Sequence, residues 1–155
     1  MTELESRWRP LRLLLEGVDQ QIASIYVDAG VDGMRTRFVG PLIHLGRRGA
    51  MTVRELAESV EVTHSAMSQT VAAMRSAGFV ADADNPDGRT RRVQLSDRGR
   101  AVIPLLEAEW RATEEALAEL EAEVPYPVTQ VVADLAAALA KRSFRERLDA
   151  RLRAT

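Results

Sequence analysis

The segment from Met51 to Leu95 constrains the fold most, because two short helical patterns, a polar break and an arginine-rich hairpin pattern follow one another in it. Thr52 and Glu55 have the spacing of a capping box, in which a hydroxyl and a carboxylate satisfy the free backbone N–H groups of a first helical turn. Leu56 and Ala57 are then expected to face inward. Helix, turn, helix and hairpin in this order predict a winged helix-turn-helix.

The second helix is predicted to run from Thr63 or His64 to about Ala77, with short hydrogen-bonding side chains near its start. Such a surface can enter a major groove and contact base edges without holding the backbones apart. Taken alone, the segment fits an ordinary amphipathic helix with a polar exposed face equally well. The predicted contacts to bases or phosphates are Thr63, His64, Ser65, Ser68 and Gln69.

The turn between these helices is Val60-Glu61-Val62, and both valines are expected to pack beneath the corner. Glu61 stands where glycine is frequent in such turns, so the sequence departs there from the commonest pattern. The residues of the second helix that are spaced for packing are Ala66, Met67, Thr70, Val71 and Met74.

The hairpin favours DNA binding over the amphipathic-helix interpretation. Gly78 ends the helix, the run from Asp84 to Gly88 is rich in turn residues, and Thr90 to Leu95 alternates as a returning strand. Arginines are therefore expected at or near the end of a projecting loop. They can be merely solvated, but their place directly after a helix-turn-helix favours contact with phosphates or a minor groove. These arginines are Arg89, Arg91 and Arg92.

The distribution of charge along the chain also favours DNA binding by the winged segment. The net charge is −2, but residues 35–100 carry eleven arginines against seven acidic residues, while residues 1–34 and 101–155 each have an excess of three acidic residues. For binding to the phosphates of DNA, a local basic surface matters more than the net charge of the whole chain.

No cysteine is present, which excludes disulfides, thiolate metal sites and a cysteine nucleophile.

Helical apolar stripes precede the winged segment. The first runs from Trp8 to about Tyr26, and a second helix is predicted from Met34 to about Leu45. Pro41 either kinks this second helix or separates two shorter helical pieces.

Two more helices are predicted after the winged segment. One runs from Ser96 to about Glu123 with Pro104 inside it, and the last runs from Val128 to about Leu152. Pro104 implies a kink or a short preceding turn. One small domain cannot cover all of these apolar stripes, so the sequence favours an obligate homodimer.

The wing segment resembles a known family. Asp87-Gly88-Arg89, followed by the run from Val93 to Gly99, is similar to the wing signature and the next element of the MarR family of bacterial transcription regulators. The resemblance covers most of the chain and implies that Arg89 enters the minor groove and that Asp87 orients it through a charge-assisted bond. Arg91 and Arg92 would then make supporting phosphate or fold contacts.

The resemblance also implies a fold class and a function. The fold is mainly α with a small β-wing: an N-terminal dimerisation helix (1–32), a winged helix-turn-helix (33–98) and C-terminal dimerisation helices (99–155). The implied function is a ligand-responsive repressor that binds double-stranded DNA as a homodimer at a palindromic operator. Its effector would be a small, often aromatic or phenolic, anion. A winged-helix protein-interaction module without DNA binding remains the alternative. A cytoplasmic location is expected because the acidic start of the chain lacks the basic-then-apolar order of a signal peptide.

Other chemistry finds little support in the sequence. His44 and His64 lie on different predicted helices, no phosphate loop or metal-ligand spacing is present, and no catalytic residue, metal or cofactor is expected. No ligand-binding residue is assigned individually. The tryptophans are expected in a dimer core and His44 in the fold. Candidates for lining an effector crevice are Trp8, Arg12, Tyr26, Arg37, His44 and Trp110.

Overall fold

The computed structural model describes residues 6–84 and 91–154. Its helices are α1 (Arg9–Asp28), α2 (Thr36–Arg48), α3 (Val53–Ser59), α4 (His64–Ser76), α5 (Asp97–Ala122), α6 (Val128–Lys141) and α7 (Phe144–Leu152). Its strands are β1 (Met51–Thr52), β2 (Val80–Asp82) and β3 (Arg92–Leu95). The chain divides into two compact units, residues 1–111 and 112–155. The mainly helical fold with a small sheet is confirmed.

The sheet belongs to the first unit and is antiparallel, in the order β1-β3-β2. Val80 of β2 pairs with Leu95 of β3, as the hairpin pattern predicts, and Met51 of β1 pairs with Val93. β1 is not predicted by the sequence, because two residues between a turn and a helix are too few to show alternation. Through β1, the wing strand β3 is joined to the residues that begin α3.

The core of the first unit lies between α2, α3, α4 and the inner face of the sheet. Phe38 of α2 and Phe79, just before β2, meet edge to face with ring centroids 6.3 Å apart. α3 begins where predicted, because Thr52 and Glu55 form the complete capping box. The largest fully buried side chains are Tyr26, Phe38, Phe79, Leu42, Leu45, Leu56, Met67, Met74, Leu106 and Val93.

Two prolines lie inside helices. Pro41 is buried within α2, which remains one helix, so the prediction of two separate pieces is wrong. Pro104 lies inside α5, which also runs as one helix from Asp97. A proline in a helix removes one backbone hydrogen bond, a loss that the packing of an apolar face offsets.

The second unit holds α6 and α7, where a single last helix was predicted. That prediction is wrong: Arg142 is extended, and Ser143 starts a new helix with a second capping box. The hydroxyl of Ser143 accepts a hydrogen bond from the N–H of Glu146 at 3.2 Å, and the carboxylate of Glu146 accepts one from the N–H of Ser143 at 2.8 Å. The Ser143 hydroxyl, which also donates to the carboxylate of Glu146 at 2.8 Å, and the Ser143 N–H lower the pKa of Glu146. The capping bonds satisfy N–H groups that a continuous helix would use internally.

No helix in the described ranges has the length and apolar character needed to cross a membrane.

Candidate nucleic-acid interface

The second helix of the helix-turn-helix, α4, is divided between a packed and an open face. Its core-facing residues are Met67, Thr70, Val71 and Met74, all buried. Ala66, which was predicted to pack, is exposed instead. It lies one residue from Met67, and consecutive helical positions are separated by about 100° around the axis.

The predicted DNA-contacting residues lie together on the open side of α4. Thr63 is the N-cap, and its hydroxyl accepts a hydrogen bond from the N–H of Ala66 at 3.2 Å. This bond uses one lone pair of the Thr63 hydroxyl, which can still donate its hydrogen to a base or phosphate. His64, Ser65 and Gln69 are exposed and Ser68 is half-buried. Short polar groups thus project from the first two turns, where a helix that enters a groove presents its side chains.

The turn before α4 has a strained residue. Glu61 adopts φ +55°, a left-handed conformation that costs a residue with a Cβ free energy and that glycine adopts freely. The turn is closed by the N–H of Val62, which donates to the carbonyl of Ala57 at 3.0 Å. Val60 packs against the core as predicted, but Val62 is 44% exposed, so its predicted role as a core plug is wrong. Because the left-handed Glu61 lies between them, the side chain of Val60 packs against the core and that of Val62 is exposed.

The base of the wing is tied to both helices of the helix-turn-helix. Arg75, on the last turn of α4, donates to the carboxylate of Asp82 on β2 at 2.6 Å. Arg92 on β3 donates to the carbonyl of Ala50 at 3.2 Å and lies 3.4 Å from the carboxylate of Glu55. Arg75 and Glu55 were not predicted to be wing partners. The helix–turn–strand order around Gly78 was the available signal for the pair of Arg75 and Asp82.

The predicted wing arginines therefore separate. Arg92 is the first residue of the paired strand β3 and contacts Ala50 and Glu55, which fits the fold contact named as one of its two roles. Its contact with DNA stays a prediction. Arg91 is exposed, next to the start of β3. Asp87 and Arg89 lie outside the described residues, and their roles stay predictions.

Glu55 contacts both the N-cap residue Thr52 and the wing arginine Arg92. Its carboxylate accepts a hydrogen bond from the backbone N–H of Thr52 at 2.7 Å. That backbone bond, the hydroxyl of Thr52 and the charge of Arg92 lower the pKa of Glu55, whereas desolvation opposes them. Glu55 is therefore an anion at neutral pH and attracts Arg92.

Many arginines of the basic segment are used within the fold. Ion pairs join Arg47 to Glu107 and Arg54 to Glu58, and the guanidinium of Arg98 lies 4.6 Å from the ring centre of Phe79. Among the described residues of this segment, the exposed arginines without an ion pair are Arg35, Arg37, Arg48, Arg91 and Arg98. The positive charge open to a phosphate backbone is thus smaller than the arginine count suggests.

A cleft of about 520 Å³ lies in the first unit between α2, the α3–α4 turn and α5. Of the predicted crevice residues it contains Arg37, His44 and Trp110, but not Trp8, Arg12 or Tyr26. The remaining lining residues are Thr36, Gly40, Pro41, Ile43, Arg47, Ser59, Val60, Val62 and Glu107.

The cleft has a basic and partly apolar character. Burial lowers the pKa of His44 first, and the charges of Arg48 and Arg47 lower it further. His44 is therefore neutral at pH 7 and can donate or accept a hydrogen bond. No group of three or more potential metal ligands occurs within residues 6–84 and 91–154.

Sequence comparison addresses the winged segment directly. A profile of the MarR family matches residues 42–90, which include α3, α4 and the start of the wing. This part of the chain is therefore similar to the MarR family. No curated protein matches the chain.

Solved structures share the MarR-family fold over most of the chain. A MarR family transcriptional regulator from Silicibacter pomeroyi DSS-3 is 27% identical, spans 83% of this chain and 93% of its own, and has a TM-score of 0.52. The regulator MosR of M. tuberculosis, solved with DNA, is 24% identical over 89% of this chain and 99% of its own, with a TM-score of 0.58. MepR of S. aureus, also solved with DNA, is 14% identical over 88% of this chain and 98% of its own, with a TM-score of 0.63. These similarities indicate a transcription regulator.

Proposed function

We propose that this protein is a homodimeric repressor that binds an imperfect palindrome in double-stranded DNA and releases it when a small aromatic or phenolic anion binds. The observation that carries the proposal is the open polar face of α4, on which Ser65 and Gln69 are exposed one turn apart. Gln69 has the amide geometry that pairs with adenine, and the serines can contact bases or phosphates. Arg89, oriented by Asp87, would read the adjacent minor groove.

The homodimer is supported by apolar side chains that each unit leaves in water. On α1, Trp8 is 57% exposed and Leu15 58% exposed. On α6 no residue is buried, and Leu135 and Val132 are 43% and 56% exposed. Burying one such side chain contributes about 1.5–3 kcal/mol, so a second copy that covers these faces would be strongly stabilised. Two copies related by a twofold axis would read half-sites one helical turn apart, in a site of roughly 16–20 base pairs.

The effector proposal rests on the cleft. Trp110 is 52% exposed and offers an aromatic face, and no carboxylate among the described residues forms an ion pair with Arg37. An aromatic ring with an anionic group fits this combination of a stacking surface and a guanidinium. Because the α3–α4 turn contributes Val60 and Val62 to the lining, an occupant would contact the segment that directs α4. The effector would cause release of DNA if it bound more tightly to a conformation in which the spacing of the two recognition helices does not fit the operator.

DNA binding is tested by in vitro selection from a library of random duplexes, followed by anisotropy titrations of the selected duplex at several salt concentrations. Binding is expected to weaken steeply with salt. Gln69→Ala should relax the preference at one base position of each half-site, whereas Arg89→Ala should weaken all sequences and lower the salt dependence.

The matched control is Gln20→Ala, an exposed glutamine on the polar side of α1, which should change neither property. Equal effects of Gln69→Ala and Arg89→Ala at every operator position would contradict their assigned roles. Absence of duplex binding at any salt concentration would favour the protein-interaction alternative.

The oligomeric state is tested by sedimentation equilibrium at micromolar concentration. The wild type should be a dimer, and Leu135→Asp, which places a charge on the apolar face of α6, should shift it towards monomer. Ala137→Asp, two residues further on and on the other side of the helix, should not. A monomeric wild type would exclude the homodimer.

The effector site is tested with 4-hydroxybenzoate as the probe. Trp8→Phe leaves Trp110 as the only tryptophan, so its fluorescence reports on the cleft. Saturable quenching is expected, with affinity about tenfold weaker after Arg37→Gln, since a charged hydrogen bond is lost. Arg35→Gln, outside the cleft, is the control. No quenching at millimolar probe, or an equal loss in both variants, would contradict this site for that class of ligand.

A further inference from the structure

Arg98, on the first turn of α5, connects three separate segments of the first unit. Its Nη1 donates to the carbonyl of Ala77 at 2.9 Å, and its Nη2 donates to the carbonyl of Asp32 at 2.5 Å. Its guanidinium also lies over the ring of Phe79. One side chain therefore joins the end of α4, the loop between α1 and α2, and the start of α5.

The contact with α4 is made at its C-terminus. Ala77 is the C-cap of that helix, so its carbonyl is one of those that the helix itself leaves without a partner. The negative end of the helix dipole lies here as well, which favours a cation. A planar guanidinium can reach two carbonyls in fixed directions at once, whereas a lysine ammonium lacks this geometry.

The backbone around Arg98 is packed too closely to allow α4 and α5 to move independently. The hydroxyl of Ser96 donates to the carbonyl of Gly78 at 2.6 Å, and the N–H of Ser96 donates to the carbonyl of Phe79 at 3.0 Å. A Cβ at Gly99 would lie 2.1 Å from that same carbonyl oxygen. These contacts fix the distance between the helix ends. Arg98 adds a polar tie between α4 and the α1–α2 loop, whose Val31 and Met34 also pack against the core.

We propose that Arg98 is a positioning residue that sets the direction of α4 relative to the α1–α2 loop, and thereby the spacing between operator half-sites that the dimer accepts. The inference rests on the proposed homodimeric DNA binding. In such a dimer, a change in the direction of α4 alters the separation of the two recognition helices. The separation of the recognition helices must match the distance between the half-sites, and that distance is set by the number of base pairs between them.

The test compares the selected operator with duplexes in which one or two base pairs are inserted or deleted at its centre. The wild type should discriminate strongly among these spacings. Arg98→Gln should reduce the ratio between the best and the next spacing about tenfold, the size expected for a lost charged hydrogen bond. Arg98→Lys, which keeps the charge but not the planar fork, should fall between the two.

Arg100→Gln is the matched control. Arg100 is also on the first turns of α5, but it bonds to Leu95 and Asp97 within its own segment of chain, so the spacing preference should be retained. Thermal unfolding of each variant reports stability separately. If Arg98→Gln does not fold, Arg98→Lys carries the comparison.

A uniform loss of affinity at all spacings, or an unchanged spacing preference, would overturn the inference and leave Arg98 a contact of the fold alone. If the wild type selects no duplex, the proposed DNA binding fails before any variant is made, and the inference fails with it. Loss of spacing discrimination in Arg98→Gln but not in Arg100→Gln would support it.

Discussion

The hydroxyl of Tyr26, near the end of α1, donates a hydrogen bond to the carboxylate of Glu109 on α5. The two residues are 83 positions apart in the chain, and they are 1% and 7% exposed, respectively. Burial raises the pKa of Tyr26 well above its ordinary value, and the hydrogen bond and charge of Glu109 raise it further. The pair therefore joins two helices that flank the winged helix in sequence.

Tyr26→Phe should lower the free energy of unfolding by about 1–3 kcal/mol, because the buried carboxylate of Glu109 loses a donor. Urea unfolding at neutral pH measures this difference. The matched control is Tyr126→Phe, since Tyr126 is 78% exposed and its loss should matter little. Equal stability of the two variants would show that the Tyr26 bond contributes nothing.

The stability contributed by Tyr26 should decline in alkali. Its pKa is raised in the folded state, so the contribution is fully present below the unfolded value near 10 and is lost as the pH rises above it. The gap in stability between wild type and Tyr26→Phe should therefore narrow above about pH 10. A gap that stays constant or widens in urea unfolding curves up to about pH 11 would contradict this sign.

Gly99→Ala should destabilise the protein by about 3 kcal/mol, because the added Cβ would collide with the backbone carbonyl of Phe79 rather than with a movable side chain. Gly17→Ala is the control: no atom lies within 4 Å of a Cβ there, and alanine in a helix interior should stabilise by about 0.5–1 kcal/mol. The two variants should therefore shift the urea midpoint in opposite directions. A shift in the same direction would contradict the packing argument.

Glu61→Gly should raise the free energy of unfolding by about 1 kcal/mol, since glycine adopts the left-handed φ of +55° without strain. Glu61→Gln removes the charge but keeps the Cβ, so it should leave stability nearly unchanged. If Glu61→Gln stabilised as much as Glu61→Gly, charge and not backbone conformation would be the cause. Thermal unfolding of the three proteins decides between these causes.

His44 should titrate below its ordinary value of 6.5 in NMR spectra, because burial and the charges of Arg48 and Arg47 disfavour its protonated form. The unfolded chain binds this proton more readily, so the protein should lose stability as the pH falls below 6.5. Arg48→Gln should raise the pKa of His44, and Arg54→Gln, which breaks a pair with Glu58 on α3, should not. Titration of His44 above 6.5 would contradict the prediction.

Local signals in the sequence were sufficient for much of the winged helix. The spacing of Thr52 and Glu55 predicted the start of α3, and Gly78 predicted the end of α4 before a strand. Such features depend on residues three or four positions apart, which meet in any helix irrespective of the rest of the chain. The second capping box, at Ser143 and Glu146, carried the same local signal, but the continuous apolar pattern around it favoured one helix.

Contacts between distant residues could not be predicted in this way. Arg92 has the residue type and the place in the sequence expected of a DNA-contacting wing arginine. Its side chain, however, contacts Ala50 and Glu55, about forty positions earlier in the chain. Val62 has the character of a core residue, but the left-handed Glu61 directs it to the cleft. A side chain's type does not determine which of several nearby partners the folded backbone brings within reach.

The sequence by itself determined the order of elements, the winged helix-turn-helix and the family resemblance, because periodicity, capping and turn chemistry are local. Only the tertiary structure decided which arginines remain open to a phosphate and which bind the fold. It also brought Tyr26 to Glu109 and Arg98 to Ala77 and Asp32. These pairings depend on how helices separated by tens of residues pack, and packing is set by the whole apolar core and by no single segment.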